Sequence, residues 1–313
     1  MLSSTEGLRE RSVRSDGVSL HVVEAGPADG PLVVLLHGFP EFWYGWRRQI
    51  APLAAAGYRV LVPDQRGYNT SDKPRRVADY RIERLAGDVL ALIDDAGRDR
   101  ATVVGHDWGA AVAWWLGSHH PSRLERLAIL NVPHPVVMRR HLLTNPRQIG
   151  RSWYIFLCQV PWLAEAAFSI RSGRVASRVL RATGRAGAFT DEDLTRYREA
   201  WAEPGAMRSM VNWYRAAIRG AARPFGETRV PVETLVIWGA RDLALGREMV
   251  APSLELCDRG RLVLFENASH WVQHEEADSV TDLLKRFLAD GLKGLDRPET
   301  AEAAPPPPGA TLR

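Results

Sequence analysis

The stretch Val103-Val104-Gly105-His106-Asp107-Trp108-Gly109-Ala110-Ala111 reads as a buried strand, a sharp turn and the start of a small-residue helix. Gly105 and Gly109 flank a carboxylate at the tip. This is the spacing of a nucleophile elbow, G-x-S-x-G, with Asp where a serine would stand. A serine hydroxyl needs a base to activate it, whereas a carboxylate with an ordinary pKa near ~3.9 is already an anion at neutral pH. An anionic oxygen suits displacement at a saturated carbon. The product is an alkyl ester of the protein, which water must then cleave. The chemistry expected of Asp107 is therefore covalent hydrolysis of a strained or activated carbon–heteroatom bond.

Two further residues complete a constellation. Asp242 follows the apolar run Leu235-Val236-Ile237-Trp238, and His270 follows Leu262-Val263-Leu264-Phe265. A lone loop Asp is usually a turn residue, and a lone His is usually structural. Three such residues, each just past a strand and in the order nucleophile, acid, histidine, read together as the set of an α/β-hydrolase. The loop Leu36-His37-Gly38-Phe39-Pro40-Glu41 follows another buried run, Leu32 to Leu36. In that fold the oxyanion hole pairs the N–H after the nucleophile with one from this loop, which assigns the backbone N–H groups of Trp108 and Phe39. His37 is expected to brace the turn.

These residues need a scaffold that brings distant segments together. Ser19–Val23, Leu32–Leu36, Arg59–Pro63, Thr102–Gly105 and Leu127–Leu130 read as strands; Glu41–Ala56, Ile82–Asp95 and Ala110–Leu116 read as helices between them. Such alternation predicts a mostly parallel sheet flanked by helices. From about His134 to Pro231 the pattern turns helical and rich in Arg, Ala and Trp; strands then resume at 235–238 and 262–265, and Ser279–Leu288 reads as a closing helix. The expected fold is α/β, an α/β-hydrolase with an inserted helical cap over the sheet's C-terminal edge, where open parallel sheets bind ligands. The segments are 1–133 and 231–295 for the two halves of the core, 134–230 for the cap, and 296–313, with its run Pro305-Pro306-Pro307-Pro308, for a disordered tail.

Composition narrows the function classes. The chain has 313 residues, 45% of them hydrophobic, enough for a sizeable core. The net charge is +4 and the arginines are not clustered into a nucleic-acid footprint. The N-terminus lacks the apolar centre of a signal peptide and no apolar run is long enough to span a membrane, so a cytoplasmic protein is expected. The two cysteines, Cys158 and Cys257, read as packed thiols. Neither a metal site nor a cofactor is expected: His119-His120 has the spacing of a solvated helix face. A homodimer through a cap face stays open.

The stretches His37-Gly38-Phe39-Pro40-Glu41-Phe42-Trp43, Pro63-Asp64-Gln65-Arg66-Gly67-Tyr68-Asn69-Thr70-Ser71-Asp72 and Gly105-His106-Asp107-Trp108-Gly109 resemble those of the α/β-hydrolase-fold epoxide hydrolases, over about residues 15–290. Members of that family carry two cap tyrosines that bind the epoxide oxygen. By resemblance these are Tyr154, in Trp153-Tyr154-Ile155-Phe156-Leu157-Cys158-Gln159-Val160-Pro161, and Tyr214, in Val211-Asn212-Trp213-Tyr214-Arg215-Ala216. The first stretch departs from the family's usual Gln-Glu-Pro. The chemical sense of tyrosine is direct: ring opening leaves an alkoxide, and a phenol with a pKa near ~10 is protonated at neutral pH and can donate. The resemblance implies a small apolar epoxide and water as reactants, with Phe39, Trp43, Trp108, Phe156, Trp213 and Trp271 as candidate walls. Two other readings stay open. Haloalkane and haloacid dehalogenases use the same Asp, although their halide- or carboxylate-binding residues are replaced here by Phe39 and Trp108. A binding protein on a hydrolase scaffold is the third reading.

Overall fold

The computed structural model describes residues 7–170, 173–219 and 229–296. The expected tail therefore lies outside the described residues, Asp296 apart. An eight-stranded sheet forms the centre: β1 (Arg9–Ser15), β2 (Val18–Ala25), β3 (Leu32–Leu36), β4 (Arg59–Pro63), β5 (Ala101–His106), β6 (Leu124–Leu130), β7 (Thr234–Gly239) and β8 (Gly260–Phe265), in the spatial order β1-β2-β4-β3-β5-β6-β7-β8. β2 runs antiparallel to both neighbours, and from β4 to β8 every pairing is parallel. β3 and β5 are buried along their whole length. Both faces of a central parallel strand are covered by helices, so an unbroken apolar run such as Leu32-Val33-Val34-Leu35-Leu36 is what the position requires. Each fully buried Leu or Val contributes roughly 1.5–3 kcal/mol.

The direction of travel reverses inside this sheet. From β3 the chain moves through α1 (Arg47–Ala55) to β4, and from β4 through α2 (Ile82–Asp95) back past β3 to β5. Right-handed crossovers then put α1 and α2 on opposite faces. α2 packs on α3 (Trp108–His119), the helix after β5, while α1 packs on α13 (Ala277–Asp290) at the C-terminus. The loops after β3 and β5 diverge over adjacent strands paired at Leu36 and Gly105, which opens a crevice at their C-terminal ends.

Between β6 and β7 lie seven helices among the described residues: α4 (Pro135–Thr144), α5 (Pro146–Arg151), α6 (Trp153–Leu157), α7 (Leu163–Ser169), α8 (Arg174–Thr183), α9 (Asp191–Ala202) and α10 (Ala206–Arg219). Their starts are written in the sequence. Asn145 caps α5 by accepting from the N–H groups of Arg147 and Gln148, and Thr190 and Asp193 form a capping box on α9. Two short helices, α11 (Val250–Leu254) and α12 (Val272–Glu275), follow β7 and β8. No helix of the described residues is long and apolar enough to cross a membrane. Cys158 and Cys257 are free and buried.

Two elements differ from the sequence expectation. β1 went unread, because four of its seven residues are charged and it sits at the sheet edge; charges on an edge strand deter pairing with other chains. Its signal was Asp16-Gly17, where both residues take positive φ and turn β1 into β2. The helix expected from Glu41 begins as a 3₁₀ turn at Trp43, and α1 proper starts only at Arg47. The delay has a cause: Glu41 is drawn into the core, where its N–H closes a turn on the Gly38 carbonyl, and Phe42 is extended.

Candidate active site

Asp107 occupies the step from β5 to α3 with φ 48° and ψ −122°, a conformation disfavoured for any residue with a Cβ. The surrounding glycines make the turn feasible. A Cβ on Gly105 would lie 2.4 Å from the Gly109 carbonyl oxygen, and one on Gly109 would lie 2.3 Å from the Leu36 carbonyl oxygen. Gly38, on the facing loop, is pressed onto the carboxylate itself, since a Cβ there would fall 2.2 Å from Asp107 Cβ. The carboxylate is thus fixed from both sides.

One oxygen of Asp107, Oδ1, accepts the Phe39 N–H at 2.7 Å. The other, Oδ2, lies 3.6 Å from His270 Nε2. Trp108 N–H is the first amide of α3, where no intrahelical acceptor exists. On the far side of the imidazole, His270 Nδ1–H donates to Asp242 Oδ2 at 2.7 Å. Asp242 is fixed in turn: its Oδ1 accepts the N–H groups of Ala244 and Leu245, and Asn131 Nδ2 donates to Oδ2 at 2.9 Å. The loops after β5, β7 and β8 therefore bring Asp107, Asp242 and His270 into one line of hydrogen-bonding groups.

The electrostatics follow from this layout. Burial works to raise the Asp107 carboxyl, but the His270 hydrogen bond and charge, the nearby His106 and the Phe39 N–H outweigh it and hold the group below its ordinary value. Burial works to lower His270, yet two carboxylates face it, and Asp242 and Asp107 together raise it to about 10. The resting pair is an aspartate beside an imidazolium. Tyr154 and Tyr214 are both raised, first by burial and then by the Asp107 charge, so both hydroxyls keep their protons well beyond neutrality.

The two tyrosines come from different helices of the segment inserted between β6 and β7, α6 and α10, and their rings meet edge to face at 5.9 Å. Tyr214 also meets Trp108 at 5.0 Å and Phe39 at 5.3 Å. Cys158, Ala164, Val211 and Tyr214 form a small apolar cluster of their own, with Phe39, Trp108, Tyr154 and Ile155 packed against it. Four predicted aromatic walls fall elsewhere. Phe156 is 51% exposed, because two residues along a helix turn it about 200° from Tyr154, onto the outer side. Trp213 sits one layer back, edge to face with Trp108 at 5.8 Å, its indole N–H on the Arg66 carbonyl. Trp43 packs with Phe42 and Tyr44. Trp271 packs edge to face on His270 at 5.0 Å and donates its indole N–H to Thr183 of α8.

Three polar residues escaped sequence reasoning as parts of the site. Asn131 ends β6 in a positive-φ conformation and ties Asp242 to the Gly239 backbone; a polar residue closing an apolar strand was the available signal. His106, next to Asp107, faces the His270 carbonyl at 2.9 Å and Glu41 at 3.1 Å. Glu41 is fully buried, and burial alone would raise it, but His274 and His106 hold it well below the usual carboxylate range. His37 acts at the turn, its Nε2 accepting the Gln65 N–H.

Comparison with known proteins now places this arrangement. Residues 31–277 match the alpha/beta hydrolase fold family. The AB hydrolase superfamily protein YfhM of Bacillus subtilis is 45% identical over 90% of this chain and 99% of its own length. Epoxide hydrolase 1 of Caenorhabditis elegans is 37% identical over 90% of this chain and 71% of its own. The crystal structure of epoxide hydrolase A from Mycobacterium thermoresistibile superposes with a TM-score of 0.80 at 33% identity, covering 90% of this chain and 98% of that one. The chain belongs to the α/β-hydrolase fold family and, within it, to the epoxide hydrolases.

Proposed function

We propose that the protein hydrolyses a small apolar epoxide to a vicinal diol through an ester on Asp107. The observation that carries the reading is the placement of the Asp107 carboxylate, with one oxygen on the Phe39 N–H and the other beside His270, under a pair of cap tyrosines, Tyr214 buried and Tyr154 partly so. Likeness to epoxide hydrolases of other organisms supports the substrate class.

The epoxide lies between the cap and the crevice, against Phe39, Trp108 and Tyr214. Asp107 Oδ2 attacks one ring carbon, the C–O bond breaks, and its electron pair goes to the ring oxygen. Tyr154 or Tyr214 donates a proton to that oxygen as it forms, because an unprotonated alkoxide is a poor leaving group. The tyrosinate is then reprotonated from the His270 imidazolium, which leaves His270 neutral. Formation of the ester removes the Asp107 charge that helped to keep His270 protonated, so the imidazole becomes a base at the point where one is needed.

In the second half, His270 takes a proton from water while the hydroxide adds to Cγ of Asp107. The N–H groups of Phe39 and Trp108 hold the tetrahedral oxyanion; a donor so placed is worth about 3–4 kcal/mol where one has been removed from other enzymes. Collapse expels the diol oxygen, which takes the proton of the new carboxyl group. The cycle closes on an aspartate, an imidazolium and a diol, with one water consumed. Asp242 holds the imidazole in orientation throughout.

A single turnover in heavy-oxygen water tests the scheme. The first diol is expected to carry an unlabelled oxygen from Asp107, and the label is expected in the carboxylate of that residue by peptide mass spectrometry. Label in the first diol with none in the protein would overturn the ester route. Halide release from chloroalkanes, with epoxides untouched, would replace the substrate class instead.

A further inference from the structure

Among the described residues, the exposed large hydrophobic side chains concentrate in the segment between β6 and β7. Of eleven large hydrophobic residues exposed among the described residues, ten lie between 143 and 218, and Leu243 is the other. Six are nearly contiguous in sequence: Trp153, Phe156, Val160, Trp162, Leu163 and Ile170, with Trp162 81% and Trp153 63% exposed. Soluble chains scatter such residues singly, and a concentration of them marks an interaction surface.

The charge of the same region says what it fits. Residues 135–186 contain nine arginines and a single acidic residue, Glu165, whereas the whole chain has a net charge of only +4. Glu165 is itself neutralised by Arg215 of α10. α7, which begins at Leu163, packs on α8, and α8 presents Arg174 and Arg178 to solvent beside the exposed Val179 while burying Ala176, Ser177 and Leu180. Arg181 and Arg185 pair with Asp191 and Glu276 of neighbouring elements, but the arginines of the face outnumber these acids. Exposed indoles on a face with an excess of arginine make the pattern of a protein surface that lies in the interface of an anionic bilayer. Two copies of the same face would instead set two strongly cationic surfaces against each other, which disfavours a symmetric dimer here.

We infer that the outer face of α6, α7 and α8 is a docking surface for an anionic lipid bilayer. The short helix α6 sits between the two environments: Trp153 and Phe156 point outward, and Tyr154 meets Tyr214 within. An apolar substrate partitions into lipid, so docking through the cap would place the site next to its richest source. The surface is independent of the reaction assigned to Asp107.

The test is co-sedimentation of the full chain with vesicles of phosphatidylcholine alone and of phosphatidylcholine mixed with an equal amount of phosphatidylglycerol, paired with light scattering of the free protein. About tenfold tighter binding to the anionic vesicles is expected, weakened by salt. The double variant W153S/W162S is expected to lose most of the binding to either vesicle, and R174E/R178E the preference for the anionic one. Both pairs are exposed, so the thermal midpoint and turnover of a water-soluble substrate are expected to stay near wild type; these readings separate a lost surface from a lost fold. Equal or negligible sedimentation with both vesicles overturns the inference. So does a dimer that W153S/W162S converts to monomer, which would assign the face to a second copy.

Discussion

His270 stands between two carboxylates, and in the proposed mechanism its protonation state is the variable on which both half-reactions turn. In the resting protein Asp242 and Asp107 raise it to about 10 from an ordinary 6.5. A raised folded value means that the folded state holds a proton which the unfolded chain releases between those limits. The stabilisation is complete below pH 6.5 and is lost as the pH climbs to 10. The stability gap between wild type and His270→Gln is therefore expected to be widest near the lower limit and to shrink steadily towards the upper one. Urea unfolding across that range measures it, and a gap that widened with pH would refute the resting imidazolium. On the proposed mechanism the same variant has no base for the second half-reaction. Intact-mass analysis after mixing with a reactive epoxide is expected to show one substrate mass added to Asp107, with turnover reduced at least ~100-fold, the lower end of what a positioned base contributes. Tyr214 is packed by both Phe39 and Trp108. Tyr214→Phe keeps that packing and removes only the proton, so its loss is expected in the rate of ester formation, with ester hydrolysis unchanged. Stopped-flow fluorescence of the neighbouring tryptophan separates the two steps.

Elements explain which parts of this protein could be read in advance. β3, β4 and α2 have the bounds that their apolar patterns predict, because burial on both faces of a strand, or on one stripe of a helix, writes itself directly into residue order. The loops that carry Asp107, Asp242 and His270 were legible through their place after strands. Glu41 was legible as part of a motif but not as a buried carboxylate, because its partners Tyr197 and His274 lie 156 and 233 positions away. Phe156 was misplaced because a five-residue helix shows too little periodicity to say which side faces inward. Elements also pack closely at the Gly38 turn, where the loop after β3 touches Asp107. Gly38→Ala would drive a methyl group to within 2.2 Å of Asp107 Cβ, and neither backbone has a flexible end to yield. Overpacking of this kind costs about 1–3 kcal/mol. More tellingly, it shifts the Phe39 N–H away from Asp107. A fall in ester hydrolysis beyond that in ester formation is the expected result, because the oxyanion exists only in the second step.

At the scale of the whole molecule, α9, one of the helices inserted between β6 and β7, is tied to the loop after β3 through side chains other than the two tyrosines. Tyr197 on α9 donates to Glu41 at 2.7 Å, Trp201 donates its indole N–H to the Pro40 carbonyl, and Asp193 pairs with Arg47 at 2.9 Å and accepts from the Tyr44 hydroxyl. On the core side, Glu41 also meets His106 and His274, and His106 in turn meets the His270 carbonyl. The loop that supplies Phe39 N–H and the helix that anchors the cap therefore share one buried carboxylate. Removing the Tyr197 hydroxyl leaves that charge with one donor fewer, and a hydrogen bond to a charged group is worth about 1.5–3 kcal/mol. Tyr197→Phe preserves the ring stack on Trp201 and so isolates this bond from packing. The variant is expected to lose about 2 kcal/mol in urea unfolding. Its kinetic signature distinguishes a latch from a mere stabiliser: a loosened cap displaces Tyr154 and Tyr214 but leaves Asp107, His270 and Asp242 on their strand ends. KM should rise and ester formation slow, while hydrolysis of a preformed ester proceeds at the wild-type rate. Equal slowing of both steps would mean that Glu41 acts through His106 on the nucleophile side, and the latch reading would fall.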